Sequence, residues 1–175
     1  EGNTTLIDGK VIAKNLNLGA FTDEDIGTLD ANLDSKFSYN SLNGIELNTK
    51  GELPSFNYKG YTYKNIKVDG DITEKSFEGK ASISDKNGGL DFIGLINFED
   101  EIPKYDFKSK INKLNLSKLK IVNDSLEHIV SANLWIKGEG INIDNSNGNA
   151  IISDLVYSQN GRIYKNKKIE LSSKQ

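Results

Sequence analysis

Over most of its length the chain alternates apolar and polar residues with a period of two. In LDFIGLINF, Leu90, Phe92, Gly94, Ile96 and Phe98 share one parity, while Ile93 and Leu95 make the opposite face partly apolar. That segment predicts a strand covered on both sides. In IVSANLWIKGEG, Val130, Ala132, Leu134 and Ile136 fall on one face, and Ser131, Asn133, Trp135 and Lys137 on the other. Such a strand is wet on one side. Ala81, Ile83 and Asp85 alternate with Ser82 and Ser84, and Tyr105, Phe107, Ser109 and Ile111 alternate with Asp106, Lys108 and Lys110.

Turn signals punctuate these runs: Asn43-Gly44, Lys59-Gly60, Asp69-Gly70, Glu78-Gly79, Asn87-Gly88-Gly89, Gly138-Glu139-Gly140, Asn147-Gly148 and Asn160-Gly161. Asn-Gly and Asp-Gly tolerate the positive φ of tight hairpins, so the punctuation predicts a long antiparallel meander of roughly a dozen short strands. Helix-like spacing of Leu and Ile occurs in FTDEDIGTL at 21–29 and LSKLKIVNDSLEHI at 116–129. Both are too short to hold without packing on the sheet.

One phrase returns. Sliding the chain by 101 residues sets Gly60, Tyr63, Lys64, Asn65 and Lys67 on Gly161, Tyr164, Lys165, Asn166 and Lys168. The same shift sets Leu18, Asp23, Ala31, Asn32, Leu33 and Lys36 on Leu119, Asp124, Ala132, Asn133, Leu134 and Lys137. Two distant segments agreeing on one offset read as an internal repeat of about 100 residues, approximately 1–100 and 101–175, with the second copy cut short. Within the phrase, Tyr61 and Tyr63 have the opposite parity to Ile66 and Val68, and Tyr164 lies an odd five residues from Ile169. A β-bulge near Lys64-Asn65, and another near Lys165-Asn166, would return all of them to one face.

The inventory narrows the chemistry. With 36% hydrophobic residues in 175, a thick closed core is not expected. The net charge of −3 creates no field that draws nucleic acid or an anionic membrane. There is no cysteine, hence no disulfide, thiol catalyst or thiolate metal site. The chain opens at Glu1 with neither methionine nor a basic and apolar leader, which reads as a piece excised from a longer protein. His128 is the one histidine, beside Glu127, with no serine in a nucleophile-elbow context. The cluster Asp23-Glu24-Asp25 reads as an acidic first turn rather than a paired acid and base. DGD at 69–71, DKNGG at 85–89 and DNSNGN at 144–149 resemble fragments of calcium loops, but each lacks the spacing and the closing bidentate Glu. The expectation is therefore no enzyme, no metal and no cofactor.

The ordered set of phrases resembles one module of the AsmA-like periplasmic β-repeat superfamily, most closely its Bacteroidetes-type TamB (translocation and assembly module) family, and the start of the next module. The residues that carry this are Asp25-Ile26-Gly27-Thr28-Leu29, the run from Tyr58 to Gly70, Phe77-x-Gly79, Ile83-x-Asp85-x-Asn87, Leu90-x-Phe92-x-Gly94, Pro103-x-Tyr105-x-Phe107 and Leu114-Asn115-Leu116-x-x-Leu119. The likeness implies an all-β fold: an elongated antiparallel sheet curved into a taco or groove, with one or two very short helices, continuous over 1–175. It further implies a periplasmic scaffold in a parent anchored in the inner membrane and reaching the outer one. Its groove would carry phospholipid acyl chains or nascent strands of outer-membrane proteins, and docking to an outer-membrane barrel would use regions beyond this segment.

The residues expected to line that groove are Ile83, Phe92, Ile96, Phe98, Phe107, Ile111, Leu134 and Ile136; the same set would equally fill a closed sandwich. Open strand edges imply self-association. The rival reading is an extracellular adhesin-like β-repeat binding glycans, which needs Tyr61, Tyr63, Tyr157 or Trp135 exposed in a row. A small β-sandwich enzyme would need carboxylates such as Asp23, Asp25 and Asp85 in one cleft.

Overall fold

The computed structural model describes residues 4–20, 25–41, 44–123, 125–141 and 145–173. They form ten strands: β1 (Thr4–Asn17), β2 (Ile26–Asn40), β3 (Gly44–Tyr58), β4 (Tyr61–Thr73), β5 (Ser76–Asp85), β6 (Gly88–Asn97), β7 (Lys104–Asn115), β8 (His128–Glu139), β9 (Asn147–Gln159) and β10 (Arg162–Ser173). Each pairs antiparallel with its neighbours in the chain, so one open sheet runs from β1 to β10. Lys59-Gly60 and Asn160-Gly161, all four at positive φ between 46° and 78°, form the hairpins of the two copies of the repeated phrase.

The strands are longer and fewer than the turn signals imply. Asp69-Gly70 and Glu78-Gly79 lie inside β4 and β5, and Asn147-Gly148 opens β9. These glycines are cross-strand neighbours instead: Gly70 faces Gly79, Gly79 faces Gly94, and Gly138 faces Gly148. Gly79 and Gly94 hold φ of 155° and 138°, where a Cβ would sit within 2.5 Å of the adjacent strand's backbone. Phe77, Phe92 and Phe107 gather beside the bare glycines, with ring centroids 5.6 and 5.1 Å apart. Aromatic rings take over the contacts that missing side chains cannot make.

Neither helix-like segment is helical over its described residues. Ile26–Asn40 is strand, 116–122 is a series of tight turns, and a 3₁₀ turn spans Leu18–Ala20. Residues 21–24, with Asp23 and Glu24, lie outside the described residues, as do Asn3, Asn43, Asp124 and Asp144. Strand pairing along β2 engages backbone groups that a two-turn helix would leave half unpaired.

Side chains of one parity line up across the sheet. A row running from Val11 and Leu33 through Val68, Ala81 and Phe92 to Leu134, Ile152 and Ile169 crosses all ten strands on one face. The other face carries charged rows, such as Lys10, Asp34, Lys50, Asp69 and Lys80 on successive strands. No second layer covers either face among the described residues, so there is no closed sandwich. Ile93, expected to be covered, is 48% exposed for the same reason.

A seam of left-handed residues crosses the sheet near one end: Asn15, Asn65, Lys113 and Asp154, all at φ close to 50°. Beyond it the apolar parity changes, which resolves the conflict between Tyr63 and Ile66. The bulge expected at Lys64-Asn65 is not an extra residue, because β3 and β4 keep one register from Leu53–Ile66 through Ser55–Lys64. Both strands change face together, β3 at Pro54. Likewise β9 and β10 stay in register past Lys165-Asn166, and the left-handed residue is Asp154 of β9. Inserted residues occur elsewhere on the seam, between Ala13 and Leu16 of β1 and between Ile111 and Leu114 of β7. The shifts between Asp30 and Asn32 and between Ser131 and Asn133 fall 101 residues apart, at matching places in β2/β3 and β8/β9.

Replacing Gly79 or Gly94 by Val is expected to cost at least about 2 kcal/mol, because both the φ and the space exclude a side chain. Gly9→Val, where a Cβ would meet nothing within 4 Å, is expected to change stability little. Urea unfolding followed by circular dichroism measures the difference.

Candidate functional site: an uncovered apolar face

Seven of the eight expected lining residues lie on the apolar face: Ile83, Phe92, Ile96, Phe107, Ile111, Leu134 and Ile136. Registers place Ile83 beside Leu90, Leu90 beside Ile111, and Phe107 beside Ile136. Phe98 lies just past the strand, against Tyr105 of the same face. It follows the last residue of β6, is 50% exposed, meets Tyr105 edge-on at 5.9 Å, and donates its N–H to Lys75 O. Val68 and Phe77 belong to the face as well; the alternation Phe77, Gly79, Ala81, Ile83 is the signal that would have found the second. The face is packed sideways rather than from above. Among the described residues only Ala31, Leu119 and Ala132 are buried apolar side chains.

Leu119, 2% exposed, sits in the turn that follows β7. Asn115 builds that turn: its Oδ1 accepts the Lys118 N–H and its carbonyl accepts the Leu119 N–H. The Leu116 carbonyl accepts N–H groups of Ile121 and Val122. From there the Leu119 carbonyl takes the Tyr63 hydroxyl of β4 at 2.9 Å. Lys120 and Ile121 share a recess with Asn57 and Gly60, at the end of β3. On a flat sheet β3 and β7 would stand about 19 Å apart. The sheet therefore curls over its apolar face here, and the turn closes this end.

Beside the turn, the Tyr61 hydroxyl donates to Asp85 Oδ1 and accepts from Asn87 Nδ2 at 2.9 Å. Asp85 also accepts the backbone N–H groups of Lys64 and Asn87. Burial first, and the hydrogen bond to the Asp85 carboxylate second, push the Tyr61 phenol up to about 12. Burial also raises Tyr63. His128 is 7% exposed, with Nδ1 2.5 Å from the Tyr157 hydroxyl and its ring stacked on Tyr157. These groups lock the seam end together rather than converge on a substrate.

The alternative chemistries find less. Tyr61, Tyr63 and Tyr157 are tied by these hydrogen bonds, and Trp135 faces the other side, so they form no exposed aromatic row. No group of three or more His, Asp and Glu converges on a point among the described residues. Asp69 is engaged by Lys50 at 2.8 Å and Asp71 by Asn48 at 2.7 Å. Asp25 and Asp85 stand apart, at the β2 entrance and on β5.

A groove of 820 Å³ also crosses β3 to β9, lined by Lys50, Glu52, Lys67, Lys80, Trp135 and Ile151 among others. Ile83, Leu90, Phe107, Ile111 and Ile136, the apolar-face neighbours of Phe92 and Leu134, take no part in it. The groove therefore runs on the polar face, between two rows of long side chains, over the backbone of the row that holds Val68, Ala81 and Phe92. Its ion pairs, Lys50–Asp69 and Lys67–Glu52 at 3.1 Å, are exposed and contribute little stability.

Leu119→Ala is expected to destabilise the fold by about 2–4 kcal/mol in urea unfolding, since it empties a buried site. Tyr61 keeps its proton in the fold where an unfolded phenol, near 10, has lost it. Stability is therefore expected to fall as pH rises from about 10 to about 12. In absorbance titration Asp85→Asn is expected to lower the Tyr61 midpoint.

No protein family, curated protein sequence or solved structure matches this chain.

Proposed function

We propose that this chain is a non-enzymatic stretch of a TamB/AsmA-like periplasmic scaffold, and that its apolar face holds phospholipid acyl chains in transit between the membranes. The observation that carries the reading is the apolar face itself, continuous over ten strands and, away from the turn after β7, with no layer packed on it. A covering layer is what a closed sheet protein uses to remove such a face from water. Here an acyl chain would do so, at ~0.8 kcal/mol per buried CH₂. The interior strands spend their backbone groups on one another, so the face offers ligands side chains alone and favours a partner without hydrogen-bonding demands. The phenylalanine cluster over the glycine row supplies a broad, sequence-tolerant contact suited to a chain that slides. Contact with an outer-membrane barrel falls to other parts of the parent.

Native mass spectrometry of the protein purified from bacteria, with organic extraction, tests this. Phospholipid is expected to co-purify, and to be lost in Phe92→Asp and Ile136→Asp variants that retain their far-ultraviolet spectrum. A lipid-free protein that takes up no acyl probe from phosphatidylethanolamine vesicles would overturn the reading.

A further inference from the structure

The groove on the polar face is separated from the apolar face by the sheet itself, so what it binds is independent of the lipid reading. Cross-strand registers build it from two parallel rows of side chains on β3 to β9, one from Lys50 to Ile151 and the other from Glu52 to Ser153. Seven strands span about 29 Å measured along a sheet. Although the chain as a whole has a net charge of −3, five lysines and three carboxylates line this groove.

Its two halves differ. On β3 and β4, Lys50 holds Asp69 and Lys67 holds Glu52. On β5 and β7, Lys80, Lys108 and Lys110 are exposed and form no ion pair among the described residues. Asp91, the remaining carboxylate of the lining, stands opposite Lys110 in register. Other lysines of the same face are tied: Lys104 to Asp100 at 2.6 Å and Lys137 to Asp106 at 2.7 Å. Apolar groups alternate with the free cations. Lys80, Ile93, Lys108, Trp135 and Ile151 are directly opposed on successive strands. Lys80 and Lys108 therefore stand about 10 Å apart along the row, with Ile93 between them and Trp135 beyond. Trp135 is half-buried, and its indole N–H has no hydrogen-bond partner among the described residues.

We propose that this groove binds an extended acidic polysaccharide, whose sugar rings lie on Trp135 and Ile93 and whose carboxylates meet Lys80, Lys108 and Lys110. The floor of the groove is backbone already paired on both sides, so an extended peptide finds no ladder to join. Recognition falls to side chains alone. Unpaired ammonium groups select anions, and an aromatic platform with a free donor selects rings that carry hydroxyls. A polymer of acidic sugars offers both along its length, and the groove is long enough for several rings.

Trp135 is the sole tryptophan, so its fluorescence, excited to the red of tyrosine, reports on this groove. Oligogalacturonate titrated into the protein is expected to change that emission saturably, with an affinity that falls as salt is raised. Lys108→Glu and Lys110→Glu are each expected to weaken binding roughly tenfold or more, and Lys165→Glu, on β10 outside the groove, to leave it unchanged. All three sites are exposed, and an unchanged far-ultraviolet spectrum checks the fold. No response to oligogalacturonate, or an equal response to a neutral maltooligosaccharide, would overturn the proposal. So would an equal response to polyglutamate, which would reduce recognition to charge, or a response confined to phosphatidylglycerol vesicles, which would make the groove a membrane contact.

Discussion

Antiparallel pairing between chain neighbours is the interaction on which everything else rests. A sheet with no partner layer cannot draw its cohesion from a core in the ordinary sense. It depends on the ladder of backbone hydrogen bonds and on side chains leaning against their cross-strand neighbours. Long strands multiply both, which is why these run from 10 to 15 residues where a sandwich would turn sooner. The same economy explains the composition. One face needs apolar residues, the other needs charge, and few residues are needed for an interior.

Two devices shape this ladder. Where Gly70, Gly79 and Gly94 adjoin, backbone approaches backbone and aromatic rings close over the gap. At the seam, residues in the left-handed region turn the strands over so that Tyr61, Tyr63, Tyr157 and Tyr164 stay with the apolar face. The turn after β7 then docks through Leu119 and the Tyr63 hydroxyl. Leu119, Asn115 and His128 are buried at this end, and Ser35, Thr49 and Ser109 are buried further along the strands.

Charge is spread over the polar face in alternating cross-strand pairs that contribute little individually. The pattern reaches the first strand, where Asp8 lies 3.7 Å from Lys36 and Lys10 stands opposite Asp34 of β2.

Alternation determined the all-β class and the face assignment of Ile83, Phe92, Ile96, Phe107, Ile111, Leu134 and Ile136, and turn residues the Lys59-Gly60 and Asn160-Gly161 hairpins, because side-chain parity and positive φ are local properties. The parity clash between Tyr63 and Ile66 was likewise visible as a needed change of face. Tertiary structure decided the rest. Asp69-Gly70 and Glu78-Gly79 have the chemistry of turns, and only the presence of glycines opposite them makes them strand. Residues 26–29 and 116–129 have helical spacing, which strand pairing and docking of Leu119 override. Whether a second sheet would cover the apolar face, and that a groove of 820 Å³ lies among the charged rows, depends on which strands meet in space, and no period in the sequence encodes that.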